Sequence, residues 1–403
     1  MTPRIVVVPG PGLDDGDCVV WGTEAGVEVD VLPGDPAVVL GGLAGEAPAI
    51  GEPGGAGAGL GGVIVAPGAP GLDDPRLARA VAAVGVPVVA VEPGNVRKNG
   101  LEPEATRLVA AGGQLLYGRG SDTGRHAVLF LARRQRQVPD TLAYGPDPSQ
   151  EGDLWLPAGD GPHPVAVLFH GGFWYHAWER DLMDGLAEDL AGRGIAAWNV
   201  EYRRVGAGGG WPATGEDAGR ATEHLAALAP VYGLDLSRVA VLGHSAGAQL
   251  ALWVAARRRR ASVHPALAVG LATIADLESA RSDRIGGGSV TRLVDGTGVV
   301  DAEAALADAS PLARLPIGVP QILAHTVDDA VVPPSQTIRY AEAARAAGDE
   351  VSVLEIEAGG HFGLIDPRTP GWAAVASSAQ EWLGRLSSRP GRTLPRAPTS
   401  RDW

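Results

Sequence analysis

The sequence predicts an α/β protein of two domains, the first built around a parallel β-sheet and the second around a doubly wound sheet. Short runs of β-branched residues alternate with helix-like segments along almost the whole chain, a pattern typical of parallel sheets covered by helices. A length of 403 residues fits two or three domains. A polar linker, RQRQVPD, interrupts the alternation. We therefore predict a first domain over residues 1–136, a second over 137–386 and a disordered, Pro/Arg/Ser-rich tail over 387–403.

The predicted elements of the first domain are short strands with two helices between and after them. The strands are predicted at Ile5–Val8, Val27–Val31, Val63–Ala66, Val88–Val91 and Leu115–Tyr117, and the helices at Pro75–Val84 and Asp122–Arg134. Residues 41–62 are dense in Gly, Ala and Pro. So many glycines make a fixed conformation entropically unfavourable, which predicts a long flexible loop.

The predicted elements of the second domain form a longer series of the same kind. Strands are predicted at Thr141–Gly145, Asp153–Leu156, Val165–Phe169, Ile195–Glu201, Val239–Leu242, Leu267–Ile274, Gln321–His325 and Val351–Ile356. Helices are predicted at Arg180–Arg193, Gly215–Leu228, Ala246–Arg257, Ser335–Ala347 and Pro370–Leu386. Helices that return the chain to the next parallel strand predict a doubly wound sheet.

Composition and charge argue against several classes of function. The net charge is −14 and the isoelectric point about 5.1, whereas binding to nucleic acid or an anionic membrane needs a concentrated basic face. The basic run 257–260 ends an apolar helical stretch, where it complements the helix dipole. Cys18 is the only cysteine, so we predict no internal disulfide and no cysteine-based metal cluster. We also predict no cofactor. The N-terminal residues resemble neither a signal peptide nor a membrane span, so we expect a cytoplasmic protein.

A G-x-S-x-G pentapeptide, Gly243–Gly247, lies between a β-branched run and a helix-like segment. A serine in this position occupies a strained turn, and its small neighbours let the strand and the helix pass closely. The turn lifts the Ser245 hydroxyl out of the sheet and aims the Ala246 N–H at the same point. Because the chain is rich in glycine, the pentapeptide alone is as compatible with a structural turn as with a nucleophile.

Three further segments favour the nucleophile. The strand VAVLF is followed by His170, Gly171 and Gly172, and consecutive glycines leave their N–H groups free to bind an oxyanion. Farther along, QILAHT is followed by an acidic turn, and VLEIE by a loop that carries His361. The order serine, acid, histidine is the one that this topology requires. Each group also follows the carboxyl end of a strand, where open α/β sheets place their sites.

Residues 140–386 resemble the α/β-hydrolase fold, and within it the HGG-type esterase branch that includes arylformamidase-like (kynurenine formamidase-like) enzymes. The resemblance is carried by HGGFW, NVEYRRVGAGGGWPAT, GHSAGAQLALW, DDAVVPPSQ and GGHF. It implies a serine hydrolase that cleaves a small ester or amide through a Ser-His-Asp triad and an acyl-enzyme intermediate. It places the acid four residues before the proline of a D-x-V-V-P run, at Asp329. Asp328 would then be a solvated turn residue or a minor helper. One departure is Thr326, where the family has glycine.

In this scheme Ser245 is the nucleophile and His361 the general base, and the N–H groups of Gly171, Gly172 and Ala246 form the oxyanion hole. Other residues near the motifs have two interpretations each. We interpret His170 and His244, which adjoin backbone donors, as structural. Three aromatic side chains either line the substrate pocket or pack the mouth of the cleft: Phe173, Trp174 and Trp211.

The first domain resembles a type II dehydroquinase (3-dehydroquinate dehydratase) with a flavodoxin-like fold, through VVVPGPG, GVIVAPGAP, PVVAVEPGNV and GGQLLYGRGSDTGRHAVLFLARR. That family uses a Tyr–Arg pair as the base and a histidine as the general acid. Here Gly12 takes the place of an asparagine, Trp21 lies near the place of the tyrosine, and Glu92 replaces the histidine. The resemblance therefore implies a catalytically inactive relative that serves in assembly or shapes the neighbouring cleft. Because such dehydroquinases form trimers and larger assemblies, it also implies a homo-oligomer.

Two alternatives to hydrolysis of a small ester or amide follow from the same residues. One is an arylformamidase that acts on an N-formyl aromatic amine. The other, of a different class, is a binding or assembly protein that uses the dehydroquinase-like pocket. In each case the expected partner is a small molecule, and neither a nucleic acid nor a membrane.

Overall fold

The computed structural model describes residues 4–8, 25, 27–31, 60–65, 88–92, 114–117, 122–257, 261–295 and 301–387. The predicted helix over residues 75–84, the substituted positions Gly12 and Trp21 and the predicted tail beyond residue 387 lie outside these residues, as does the side chain of Glu92. The chain divides into two compact units: Met1–Thr141 with Trp174–Glu188, and Leu142–Phe173 with Asp189–Trp403. The predicted domain boundaries at 136 and 386 stay predictions.

The first unit contains a five-stranded sheet. Its strands are β1 (Arg4–Val8), β2 (Glu28–Val31), β3 (Leu60–Val65), β4 (Val88–Glu92) and β5 (Gln114–Tyr117). They pair in parallel in the order β2-β1-β3-β4-β5, which is the flavodoxin-like order. The predicted parallel N-terminal sheet is therefore confirmed.

Helix α1 (Asp122–Arg136) provides the apolar face that covers this sheet. Its Val128 and Leu131 are buried in one cluster with Ile5, Ile64 and Val89 from three strands. The second segment of the unit, Trp174–Glu188, is linked to the end of the same helix by ion pairs. Arg136 contacts both carboxylate oxygens of Glu188 at 2.6 and 2.9 Å, and Arg134 lies 3.4 Å from Asp184.

The second unit contains an eight-stranded sheet. Its strands are β6 (Asp140–Ala143), β7 (Glu151–Trp155), β8 (His163–Phe169), β9 (Ala196–Val200), β10 (Leu234–His244), β11 (Leu267–Leu271), β12 (Gln321–Thr326) and β13 (Val351–Ile356). The order is β13-β12-β11-β10-β8-β9-β7-β6. Strands β8 to β13 pair in parallel and β7 pairs antiparallel with β9, so the sheet is mixed. The predicted α/β class with two sheets is confirmed.

Helices follow most of these strands. They are α2 (Asp184–Gly192), α3 (Ala213–Tyr232), α4 (Ala246–Ala256), α5 (Leu277–Ser282), α6 (Ser289–Val294), α7 (Ala302–Ala309), α8 (Ser335–Ala346) and α9 (Pro370–Ser387). The predicted helix over 180–193 begins with a 3₁₀ turn, Arg180–Met183. The short helices α5 to α7, between β11 and β12, were not predicted. No described helix is both long and apolar enough to cross a membrane.

Three strands of the second sheet are buried along their whole length. Every residue of β9, β11 and β12 is buried. Strands that are covered on both faces read as continuous apolar runs rather than as an alternation, and this is why the sequence predicts them well. The carboxyl ends of β8, β10, β12 and β13 carry the segments named above as candidate catalytic groups.

The close crossing of α4 over β8 depends on a glycine. A Cβ built on Gly247 would lie 2.0 Å from the carbonyl oxygen of Phe169 and 2.5 Å from that of His170. Both contacts are with backbone, which cannot rotate away as a side chain can. A Cβ built on Gly243 would in turn lie 2.0 Å from the carbonyl oxygen of Gly247. The glycines of the pentapeptide therefore allow the helix to approach the sheet.

We expect Gly247→Ala to lower the free energy of unfolding by about 2 kcal/mol or more, because the methyl group forces α4 away from β8. The matched control is Gly192→Ala at the exposed end of α2, where a Cβ meets nothing within 4 Å. That control should leave stability unchanged or raise it by up to about 1 kcal/mol. Urea denaturation of both variants measures the difference, and equal stability of the two would contradict the close crossing.

Candidate active site

Ser245 occupies a sharp turn between β10, which ends at His244, and α4, which begins at Ala246. Its backbone has φ 56° and ψ −118°, in a region that residues other than glycine rarely adopt. The Ser245 N–H donates to the carbonyl of Leu271 at the end of β11, at 2.7 Å, which helps to hold the turn. Such strain persists only where surrounding structure imposes it, and it is concentrated at functional sites.

The hydroxyl of Ser245 is buried and is not used in a structural hydrogen bond within the described part of the chain. The residue is 1% exposed, and its Oγ has no hydrogen-bond partner within the described part of the chain. A buried hydroxyl without a partner is unfavourable by about 1–3 kcal/mol. The hydroxyl is therefore available to a base and to a substrate.

The turn after β8 lies directly against this serine. A Cβ on Gly171 would lie 3.2 Å from the Cβ of Ser245 and 2.8 Å from Nδ1 of His244, so a larger residue would displace the turn. Among the described residues, the N–H groups of Gly171 and Gly172 donate to no acceptor. Ala246 is the first residue of α4, so its N–H has no acceptor within the helix. Three backbone N–H groups, on the turn after β8 and at the start of α4, are therefore candidates for binding an oxyanion.

His170 anchors that turn rather than facing the serine. Its Nε2 lies 2.9 Å from Oε1 of Glu201, and its Nδ1 lies 2.7 Å from the carbonyl oxygen of Gly171. Tyr202 stacks on the ring at 4.3 Å and donates from its hydroxyl to the His170 carbonyl at 2.8 Å. All three side chains are buried. These contacts fit the structural interpretation of His170.

The loops after β12 and β13 bring Asp329 and His361 together. Nδ1 of His361 lies 2.7 Å from Oδ2 of Asp329, and the Oδ1 atom accepts the N–H groups of Val331 and Val332 at 2.8 and 2.9 Å. Burial alone would raise the pKa of Asp329, but hydrogen bonds from His325 and His361 outweigh it and hold the pKa far below its ordinary value. Asp329 is therefore an anion that orients His361.

The neighbouring Asp328 has a separate role. Its carboxylate accepts the N–H groups of Gly360 and Gly359 at 2.8 and 3.2 Å, and these bonds lower its pKa. The hydroxyl of Thr326, the residue that departs from the family pattern, donates to the Gly360 carbonyl at 2.9 Å. Both side chains therefore bind the backbone just before His361. The resemblance that selects Asp329 over Asp328 agrees with the observed contact to the histidine.

His244 supports His361 from the other side. Its Nε2 lies 2.9 Å from the carbonyl oxygen of His361 and must donate, and the two rings are 4.6 Å apart. Burial, and then the proximity of His361, lower the pKa of His244 to about 3. A neutral ring at this position adds no positive charge beside the candidate base. This placement fits the structural interpretation of His244.

The three predicted pocket aromatics have different environments. Phe173 is partly buried, and its ring packs against Gly286. A Cβ built on Gly286 would lie 2.5 Å from that ring. Trp211 is 3% exposed, donates to Asp308 at 2.9 Å and meets the edge of Trp253. Trp174 is fully buried. Burial of the two tryptophans favours packing over direct contact with a substrate.

Apolar side chains are exposed beside Asp329 and His361. Phe362 is 44% exposed, and its ring lies edge-on to His361 at 5.2 Å. Val327 and Val331, within two residues of Asp329, are 50% and 39% exposed. A cavity of about 410 Å³ lies nearby, lined by Thr326, residues 355–358, Gly363 and residues 369–371, and it includes neither Ser245 nor His361. Among the described residues, no group of His, Cys, Asp and Glu is arranged to hold a metal.

His325 is a site residue that sequence reasoning did not identify. Its Nε2 lies 3.2 Å from the same Oδ2 atom of Asp329 that receives His361. The only sequence signal is its position at the end of a buried strand, four residues before the acid. Two histidines therefore converge on one carboxylate oxygen.

Comparison with known proteins supports the fold of the second sheet. Residues 153–343 match the family described as BD-FAE, whose members are α/β-hydrolase-like esterases. No curated protein matches the chain. Among solved structures, an acetyl ester-xyloside bifunctional hydrolase from Caldicellulosiruptor lactoaceticus is 20% identical, with a TM-score of 0.52, over 62% of this chain and 97% of that one. Esterase B from Lactobacillus rhamnosis is 18% identical, with a TM-score of 0.54, over 65% and 93%.

A bifunctional GH43-CE protein from Bacteroides eggerthii is also similar, at 20% identity and a TM-score of 0.52 over 60% of this chain. This chain spans only 35% of that protein. At these identities the likeness establishes the fold. The second sheet has the fold of α/β-hydrolase esterases.

We expect His244 to contribute to acid sensitivity. The unfolded chain protonates His244 near pH 6.5 and the folded chain only near pH 3. Its stabilisation is therefore complete above pH 6.5 and is lost as the pH falls towards 3, by at most about 1.4 kcal/mol per pH unit. His244→Gln should flatten the fall in unfolding free energy between pH 6.5 and 4, measured by urea denaturation, relative to wild type. His264→Gln at an exposed position is the matched control, and parallel curves for wild type and His244→Gln would contradict the prediction.

Proposed function

We propose that the chain is a serine hydrolase that cleaves a small ester through Ser245, His361 and Asp329. The observation that carries the proposal is the pairing of His361 with Asp329 at 2.7 Å, next to a strained serine whose buried hydroxyl has no partner in the described chain. These residues come from three separate strand ends, and no local structural need explains their convergence. The arrangement matches the roles of nucleophile, base and orienting acid.

The mechanism follows from these positions. His361 removes the Ser245 proton as Oγ attacks the ester carbonyl, and the resulting oxyanion accepts N–H groups of Gly171, Gly172 and Ala246. Asp329 stabilises the imidazolium. Collapse of the intermediate breaks the bond to the alcohol, which takes its proton from His361 and leaves an acyl-enzyme. Water, deprotonated by the same histidine, then releases the acid and restores Ser245. Each oxyanion donor contributes about 3–4 kcal/mol in the transition state.

Several observations support an ester over an amide or a formamide. The family that matches residues 153–343 is of esterase type, and the similar structures include one named as an esterase and one named as an acetyl ester-xyloside bifunctional hydrolase. The exposed Phe362, Val327 and Val331 beside His361 and Asp329 would contact an apolar part of the substrate. An N-formyl aromatic amine is the alternative, and a panel of p-nitrophenyl esters, anilides and formanilides compares them directly.

We expect Ser245→Ala to lower kcat for p-nitrophenyl acetate at least about 1,000-fold and to abolish labelling by a fluorophosphonate probe, because only the nucleophilic oxygen is removed. Ser378→Ala, at a half-buried position of α9 where the hydroxyl binds only the Ala374 carbonyl, is the matched control and should retain both. The intact mass of the protein after labelling gives the number of probe molecules attached per chain. Substantial turnover or labelling of the alanine variant would exclude Ser245 as the nucleophile.

Substitutions of the two neighbouring aspartates should have very different effects on kcat. Asp329→Asn removes the anion that pairs with His361 and should lower kcat about 10⁴-fold. Asp328→Asn alters only hydrogen bonds to backbone and should lower kcat less than about tenfold. Steady-state kinetics of both variants, with circular dichroism to verify folding, test the assignment. A larger loss at position 328 would reverse it.

A further inference from the structure

Two imidazoles share one oxygen of the Asp329 carboxylate. Nδ1 of His361 lies 2.7 Å and Nε2 of His325 lies 3.2 Å from the Oδ2 atom. The Oδ1 atom is occupied by the N–H groups of Val331 and Val332. Without His325, Oδ2 would be held by His361 alone, which is the group that the carboxylate has to orient.

The tautomer of His325 is determined by its neighbours. Nε2 lies 2.9 Å from the carbonyl oxygen of Val332 as well as near Asp329, and neither oxygen can donate. The proton must therefore reside on Nε2. Nδ1 lies 2.7 Å from the hydroxyl of Thr337, which can donate to it. Thr337 thus fixes the ring so that its Nε2–H is shared between the Val332 carbonyl at 2.9 Å and the Asp329 carboxylate at 3.2 Å.

The side chains in this series of contacts are buried and lie on regular secondary structure. His325 is 3% exposed and Thr337 is 0% exposed, so water does not compete for their hydrogen bonds. His325 lies in the buried strand β12, and Thr337 lies in the first turn of α8. Side chains on regular elements hold a catalytic group more precisely than loop residues do.

We propose that His325 is a positioning residue that holds the Asp329 carboxylate in the orientation required by His361. The inference rests on the proposed function and deepens it. The N–H of His325 also withdraws charge from Oδ2, which weakens the carboxylate as an acceptor of the His361 N–H. Loss of this N–H should therefore lower kcat, leave KM nearly unchanged, and move the acid limb of the kcat/KM profile to higher pH.

The ionisable groups around His361 limit what else could move that limb. Asp329 faces its Nδ1 atom from the loop after β12, and His244 faces its carbonyl and ring from the end of β10. Asp328 binds the backbone of the preceding glycines. None of these residues is changed by a substitution at 325.

Two amides at position 325 provide a matched test. In His325→Gln the side-chain NH₂ reaches the place of Nε2 and can donate to Asp329. In His325→Asn the NH₂ reaches only the place of Nδ1, next to Thr337. We expect the glutamine variant to retain kcat within about threefold and to keep the wild-type acid limb. The asparagine variant should lose about tenfold or more in kcat and show the shifted limb.

The outcomes separate this inference from the proposed function. If wild type neither hydrolyses p-nitrophenyl acetate nor is labelled at Ser245, the proposed function fails. If wild type is active and the two amide variants behave alike, the positioning role is overturned. If the asparagine variant does not fold, Thr337→Val decides. It should lower kcat about threefold with the limb displaced in the same direction, and a wild-type profile would overturn the inference.

Discussion

The carboxylate of Asp329 is the group on which the candidate site depends. A buried carboxylate is stable only when its oxygens are fully hydrogen-bonded. Here two backbone N–H groups bind one oxygen, and His361 and His325 bind the other. The anion therefore joins the end of β12, its own loop and the loop after β13. Its charge is fixed by the fold before any substrate is present.

The other contacts of the site hold the backbone of Asp329, His361 and Ser245 in place. Asp328 and Thr326 bind the backbone before His361, and His244 binds its carbonyl. His244 also precedes Ser245 in the chain, so its contact with the His361 carbonyl connects the backbone at Ser245 to the backbone at His361. Catalysis by such groups is sensitive to displacements of about 1 Å, and this explains why so many backbone contacts surround three side chains.

The sequence was most informative where the relevant interaction is local. Continuous apolar runs located β9, β11 and β12, because strands covered on both faces are apolar along their whole length. The small residues of GHSAG located the turn at Ser245, because they reflect close packing within a few residues. Helices α5 to α7 escaped prediction because they are short and their stability comes from tertiary contacts, such as that of Trp211 with Asp308. The role of His325 was equally inaccessible, since its partners Thr337 and Val332 become neighbours only when α8 packs beside β12.

The segment Trp174–Glu188 has a consequence for how the chain is made. It belongs to the first compact unit, yet it follows the Gly171–Gly172 turn of the second. The two units are therefore interleaved in sequence, and no single cut separates them. Because synthesis runs from the N-terminus, the first unit acquires its full set of contacts only after residue 188 has emerged. By then β8 has already been synthesised, so the first unit cannot be completed before part of the second has emerged.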